Sequence, residues 1–155
     1  MAGGIQTYMT FIGKVSISDD GKGNIDGVYL PNCNLPFREC RESPILKKAS
    51  KQIDEFLTGK RKEFDLPLSI EGTDFQMSVW SELQRIPYGE TVSYKEIAKR
   101  IGRPNSYRAV GSACGANPVP LIIPCHRVMA VNGMGGFAGG LALKRKLQEI
   151  EGVRF

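Results

Sequence analysis

Two short helical segments lie side by side in the stretch SYKEIAKRIGRPNSYRAVGSACGAN, residues 93–117. Ser93 and Glu96 have the spacing of a capping box, which predicts that the first helix begins there. The residues GRPN predict a turn, and Asn117 followed by Pro118 predicts the end of the second helix. Two short helices joined in this way are typical of a helix-turn-helix, although a generic helical hairpin has the same pattern. The apolar residues of the first helix share one face: Tyr94, Ile97, Ala98 and Ile101.

Small residues fill the end of the second helix: Gly111, Ser112, Ala113, Cys114, Gly115 and Ala116. A glycine in a helix interior costs about 1 kcal/mol relative to alanine, so their small size must serve another purpose. Either another helix packs closely there, or a nucleic-acid backbone approaches. In the second case Arg108, one turn earlier, provides a charged side chain.

The flanking segments extend this helical region and add a second one. TDFQMSVWSELQRI, residues 73–86, opens with the capping-box pair Thr73 and Gln76, and Trp80 is expected in the core rather than against a cofactor. SPILKKASKQIDEFLTGK, residues 43–60, predicts a helix that Ser43 caps and Gly59 ends. The apolar face of residues 73–86 is formed by Phe75, Val79, Leu83 and Ile86. The apolar face of residues 43–60 is formed by Ile45, Leu46, Ala49, Ile53, Phe56 and Leu57.

The N-terminal residues favour strands. IQTYMTFIGKVSIS (5–18) and NIDGVYL (24–30) flank the turn-rich DDGKG, which predicts an antiparallel hairpin. EFDLPLSIEG, residues 63–72, predicts an extended linker. The expected fold is α+β, with a small antiparallel sheet and a helix in a supporting domain (1–70), followed by a mainly helical domain with the helix-turn-helix (71–155).

Composition narrows the functional classes. The 155 residues include no apolar run near the ~18 of a membrane helix and no signal segment, so we expect a cytoplasmic protein, nuclear in a eukaryote, without a membrane partner. Residues 1–71 hold ten basic and ten acidic side chains, whereas residues 72–155 hold eleven basic and six acidic. The net charge of +5 therefore belongs to the second half, as a solvated basic face or a polyanion site.

The strongest chemical signal is LIIPCHRVMAVNGMGGFAGG, residues 121–140, where Cys125 precedes the chain's one histidine, His126. A neighbouring base raises the thiolate fraction of a cysteine, but adjacent side chains on a strand point apart, so direct contact requires a turn or a bridging water. Otherwise Cys125 is a small buried apolar residue. The glycines that follow offer backbone amides to a flat ligand or form a flexible turn. Neither C-x-x-C pairs nor a second histidine are present for zinc, and a disulfide framework is not expected.

NPVPLIIPCHRV (117–128) and GGFAGGLALKRKLQEIEG (135–152) closely resemble the O6-alkylguanine-DNA alkyltransferase family, the methylated-DNA–protein-cysteine methyltransferases. PYGETVSYKEIA (87–98) and YRAVGSACGANP (107–118) fit the same family in the same order. The resemblance covers about residues 72–153. It implies repair of duplex DNA by irreversible transfer of an alkyl group from O6-alkylguanine, and more weakly from O4-alkylthymine, to Cys125. It also implies base flipping, a single turnover, a monomer, and neither metal nor cofactor.

The resemblance assigns further roles. His126 resembles the base that acts through a water, and Glu151 the carboxylate that orients it. Asn117 resembles the hinge side chain before the active-site segment. Tyr94 resembles the tyrosine that stacks near the rotated phosphate and donates to guanine N3, and Arg108 the arginine that fills the gap left by the damaged base. Further DNA contacts are expected at Ser93, Gly111, Ser112 and Gly115, and the substrate pocket at Pro120, Val128, Phe137 and Ala138.

Two positions depart from the family. Phe137 stands where tyrosine is usual, and Ala138 where serine is common, which leaves the range of alkyl groups open. The resemblance also implies that backbone groups of Cys125 and Val128 accept hydrogen bonds from the exocyclic amine of the alkylated guanine. The backbone amide of Ala138 would reach the O6 oxygen of the same base. Two alternatives remain: a helix-turn-helix module without chemistry, and a Cys–His hydrolase, which needs a third polar residue and turnover.

Overall fold

The computed structural model describes residues 3–153, and the chain divides into two compact units between Ile70 and Glu71. The first unit contains a four-stranded sheet in the order β3-β2-β1-β4. Strand β4 pairs with β1 in parallel, and the other neighbours are antiparallel. Helix α1 packs against β1, β2 and β3. The bounds are β1 Gly4–Thr10, β2 Gly13–Asp19, β3 Ile25–Tyr29, β4 Glu39–Cys40 and α1 Pro44–Leu57.

The strands differ from the sequence prediction in two ways. Residues 5–18 form not one strand but a hairpin, in which Thr10 pairs with Gly13 across a two-residue turn. Gly13 has a φ of 111°, a conformation that glycine adopts without steric cost. The predicted linker at 63–72 is extended but partly paired, because Pro67 O accepts from Ile25 N (2.8 Å) and Ser69 N donates to Ile25 O (2.9 Å).

The second unit is mainly helical. Helices α2, α3 and α4 pack against one another, and α5 contacts a 3₁₀ turn at Cys125–Arg127. Two short strands, β5 and β6, pair in parallel. Trp80 is buried in the core, as predicted, and its Nε1 donates to Ala113 O at 2.8 Å. The bounds are α2 Asp74–Leu83, β5 Val92–Ser93, α3 Tyr94–Arg100, α4 Tyr107–Gly115, β6 Val128–Met129 and α5 Leu141–Ile150.

Local capping explains where the helices begin. Ser43 accepts from Leu46 N at the start of α1, and Thr73 and Gln76 form a complete capping box on α2. The second predicted capping box is half wrong: Ser93 Oγ accepts from Glu96 N, but the Glu96 carboxylate pairs with Arg100, one turn on, at 3.2 Å. An i,i+4 ion pair on the exposed helix face competes for that side chain.

The apolar segment before Cys125, residues 118–124, is a largely buried turn and not a strand. Leu121 has a φ of 76°, and the only bridge recorded within residues 118–124 of the described chain joins Pro120 to Ile123. Prolines at 118, 120 and 124 lack the N–H that a sheet ladder needs. No helix within residues 3–153 is long and apolar enough to cross a membrane.

Candidate active site

Cys125 lies in the 3₁₀ turn, directly after the buried turn at residues 118–124. Asn117, just beyond the end of α4, holds this turn closed: its Nδ2 donates to Ile123 O at 2.8 Å, and its Oδ1 accepts from Val119 N at 3.0 Å. After the 3₁₀ turn, Val128 pairs with Val92 in the β5–β6 ladder. The active-site segment is therefore fastened at one end to α4 and at the other to the strand that leads into α3.

A buried histidine–carboxylate pair begins at the residue after the cysteine. His126 is fully buried, and its Nε2 lies 2.5 Å from Glu151 Oε2 at the end of α5. Arg127 Nε donates to both oxygens of Glu151, at 2.9 and 3.1 Å, and Arg127 Nη1 donates to Ile86 O at 2.7 Å. The backbone N–H of Gly89 also donates to Glu151. One carboxylate thus receives three different donors.

These contacts fix the charges of the pair. Burial opposes ionisation of Glu151, but hydrogen bonds from His126, Arg127 and Gly89 outweigh it and lower its pKa to about 2. Burial lowers the pKa of His126, against the attraction of Glu151. The resting pair is therefore a neutral imidazole and a carboxylate. Because Nε2 donates its proton to Glu151, Nδ1 carries the lone pair that accepts a proton.

The resting cysteine is a thiol. Cys125 is 6% exposed, and burial raises its pKa, although the Asn117 side chain and the charge of Lys144 oppose the shift. The sequence-based idea that a neighbouring histidine raises the thiolate fraction thus fails for the resting site. Proton removal has to accompany substrate binding, and His126 is the base nearest in the chain.

Cys125 opens onto a cavity of about 390 Å³. Helices α3 and α4 form one wall and the glycine loop between β6 and α5 forms the other. Most of this lining is apolar or backbone, which suits a flat aromatic ligand. The lining residues are Tyr94, Tyr107, Arg108, Gly111, Cys114, Gly115, Cys125, Gly136, Phe137 and Ala138.

Tyr94 packs tightly against the glycine loop. Its hydroxyl donates to Gly136 O in a long hydrogen bond of 3.4 Å, and burial, followed by the charges of Cys114 and Cys125, raises its pKa to about 12. A Cβ on Gly135, whose φ is 71°, would lie 2.7 Å from the Tyr94 ring. Glycine at 135 therefore allows the loop to approach the tyrosine.

A buried lysine supports the same loop. Lys144, on α5, donates from Nζ to Met134 O at 2.5 Å and to Gly136 O at 3.1 Å, and lies 5.7 Å from the centre of the Tyr94 ring. Its side chain is fully buried, and burial lowers its pKa. Lys144 fastens the loop and supplies positive potential to the pocket of Cys125.

The predicted site residues fall into three groups. Those that line the cavity are Tyr94, Arg108, Gly111, Gly115, Cys125, Phe137 and Ala138. Five others are not among the residues that line this cavity, and all of them except the half-buried Asn117 are buried: Asn117, Pro120, His126, Val128 and Glu151. Ser93 caps α3 and borders a shallow groove with Thr91 and Met129, and the hydroxyl of Ser112 turns back to Arg108 O at 3.4 Å.

Sequence reasoning missed two supporting residues of the site, Lys144 and Gln148, and assigned Glu151 only through the family resemblance. Lys144, Gln148 and Glu151 recur at helical spacing along α5 and are all buried. Gln148 Nε2 donates to His126 O at 2.9 Å. Buried polar residues at positions i, i+4 and i+7 would have indicated a polar face on α5, but the sequence does not say what that face contacts. Within residues 3–153 no group of three or more His, Cys, Asp or Glu is placed to hold a metal.

Fold and site together define a class of protein in which a buried cysteine lies at a cavity lined by two packed helices, α3 and α4. The family model described as the DNA-binding domain of 6-O-methylguanine DNA methyltransferase matches residues 74–153. A methylated-DNA–protein-cysteine methyltransferase of Methanosarcina barkeri is 52% identical over 144 residues, which cover 90% of this chain and 91% of that protein.

Two further comparisons agree. A constitutive methylated-DNA–protein-cysteine methyltransferase of Bacillus subtilis is 45% identical over 119 residues, 76% of this chain and 72% of that protein. A crystal structure of Mycobacterium tuberculosis OGT in complex with DNA superposes with a TM-score of 0.89 at 38% identity, over 95% of this chain and 91% of that chain. The chain belongs to the methylated-DNA–protein-cysteine methyltransferase family.

Proposed function

We propose that this DNA-repair methyltransferase uses Cys125 to take the alkyl group from O6-alkylguanine in duplex DNA, and more weakly from O4-alkylthymine. The observation that carries the proposal is the placement of Cys125 at a cavity bordered by α4, with the His126–Glu151 pair behind it. A hydrolase would need this pair to activate water repeatedly. A helix-turn-helix without chemistry would need neither the cysteine nor the buried pair.

The reaction is a displacement at carbon. His126 accepts the thiol proton through a water, the Cys125 sulfur attacks the alkyl carbon, and an S–C bond forms as the C–O6 bond breaks. The electron pair passes to the purine, and the hydroxyl of Tyr94, which is protonated at neutral pH, donates to N3. Afterwards His126 loses a proton to water and Tyr94 regains one from water, so the net change moves one proton from the thiol to guanine.

The lesion has to leave the duplex first. O6 lies on a base edge inside the helix, whereas Cys125 is 6% exposed at the floor of a cavity. Extruding a base costs a few kcal/mol, and less for a damaged pair. In this proposal Arg108, an exposed residue that lines the cavity, occupies the vacated position in the base stack.

Helix α4 suits close approach of the DNA backbone. A Cβ on Gly115 would meet no described atom within 4 Å beyond its own helix and chain neighbours, and one on Gly111 would meet the Tyr94 ring at 3.9 Å, an ordinary contact. Packing inside the unit does not require glycine at either position. An external ligand is the remaining reason for the small residues. Residues 71–155 carry the reaction, and residues 1–70 form the supporting domain.

Single use follows from the product. The thioether on Cys125 is stable, because the neutral imidazole of His126 cannot remove the alkyl group from sulfur. Each molecule therefore reacts once, and the reaction needs no cofactor.

The test is intact-mass and peptide analysis after reaction with a duplex containing one O6-methylguanine. We expect one methyl group per protein, on the peptide with Cys125, and none in Cys125→Ala. Methyl on Cys33, Cys40 or Cys114 instead, or continuing turnover, would refute the proposal.

A further inference from the structure

Cys114 is the buried side chain that α4 contributes to the cavity. The residues of α4 that line the cavity are Tyr107, Arg108, Gly111, Cys114 and Gly115. Arg108 is exposed, Tyr107 is half-buried and the two glycines have no side chain. The room along the buried part of this wall therefore depends on the volume of the residue at 114.

The Cys114 sulfur lies in the same charged environment as the nucleophile. Both thiols interact electrostatically with each other and with the Lys144 ammonium. Burial, followed by the charge of Cys125, raises the pKa of Cys114 to about 12. It is therefore a neutral thiol at physiological pH, a small and weakly polar part of the wall, and a poor nucleophile.

The backbone at Cys114 is held in place. Trp80 Nε1 donates to the carbonyl of Ala113 at 2.8 Å, and Asn117 N donates to the carbonyl of Cys114 at 3.3 Å. Cys114 itself is 8% exposed. The helix cannot move away to make room for a larger side chain at 114, because the carbonyls of Ala113 and Cys114 are held by the hydrogen bonds from Trp80 and Asn117.

We propose that Cys114 sets the largest alkyl group that Cys125 accepts. The inference rests on the proposed function: the transferred carbon lies between the base and the Cys125 sulfur, and the rest of the group extends along the wall beside Cys114. A cysteine there leaves room for benzyl and longer primary alkyl groups of O6-alkylguanine. A branched or longer side chain removes that room and affects methyl groups less.

The experiment compares single-turnover rates on matched duplexes that carry O6-methylguanine or O6-benzylguanine. The variants are Cys114→Leu, Cys114→Val and Cys114→Ala, with Cys40→Leu, an exposed cysteine of the first unit, as the matched control. The measured quantity is the ratio of benzyl to methyl transfer rates, normalised to active protein by titration. A partly unfolded variant lowers both rates together and leaves the ratio unchanged.

We expect the ratio to fall about tenfold or more in Cys114→Leu, in line with the effect of one methylene in an apolar pocket, and less in Cys114→Val. In Cys114→Ala the ratio should stay the same or rise, and in Cys40→Leu it should match the wild type. An unchanged ratio in both Leu and Val variants overturns the inference. So does alkyl found on Cys114, because the residue would then be an acceptor. If wild type transfers nothing to Cys125, the proposed function itself fails.

Discussion

At the scale of single residues, burial keeps Cys125 a thiol in the resting site. The raised pKa of Cys125 means that the thiolate fraction still rises with pH through 9, the ordinary value for a thiol, by about tenfold per pH unit. A protonated, buried thiol also reacts slowly with alkylating reagents in solution, because the thiolate is the nucleophilic form. Cys40, exposed on β4, provides an internal comparison in the same molecule.

We predict that modification of Cys125 by iodoacetamide is slow at neutral pH and continues to accelerate above pH 9. Peptide mass analysis over a pH series measures Cys125 and Cys40 together. A Cys125 rate that reaches its plateau below pH 8 would mean that the thiol is already activated at rest.

Lys144 gives a second prediction at this scale. Lys144→Met keeps much of the side-chain volume but removes two hydrogen bonds to the glycine loop, so transfer should slow about tenfold or more, as expected for charged hydrogen bonds worth roughly 1.5–3 kcal/mol. The control is Lys146→Met, an exposed lysine on the same helix. Single-turnover rates on free O6-benzylguanine measure the effect without DNA binding, and equal rates in the two variants would contradict the role.

At the scale of elements, the glycines of α4 lower helix stability, and we expect them to allow close approach of DNA. Gly115→Ala should raise the free energy of unfolding by up to about 1 kcal/mol, because alanine is the better helix former and the Cβ meets no obstacle. The same methyl group should weaken binding to duplex DNA. Urea unfolding and DNA titration measure the two effects, and a variant that binds DNA as tightly as wild type would show that no ligand lies against this face.

The elements also show the limits of local sequence patterns. Residues 5–18 alternate as a strand should, yet they form a hairpin. The turn was missed because its one signal in the sequence is a single glycine, Gly13. The apolar run before Cys125 resembles a strand, yet its prolines and the Asn117 side chain make it a turn. In both places the hydrophobic pattern predicted burial correctly but not the path of the backbone.

At the scale of the whole molecule, the uneven charge predicts how DNA affinity depends on salt. The logarithm of the binding constant should fall linearly with the logarithm of salt concentration, because phosphate contacts release counterions. Lys95→Gln, at an exposed position of α3, should make that slope shallower, whereas Lys47→Gln, at an exposed position of α1, should not. Fluorescence titrations at several salt concentrations measure the slope, and equal effects of the two variants would argue against a basic face confined to residues 72–155.

The sequence by itself determined the helices and the nucleophile. Caps at Ser43 and Thr73, helical periodicity and the Pro-Cys-His-Arg motif are local, so neighbouring residues suffice to specify them. Only the tertiary structure decided the state of the site. Glu151 lies 25 residues from His126, and Lys144 meets the glycine loop only after α5 has packed. Their effects on pKa arise from burial and from distances between charges, which exist only once the chain has folded.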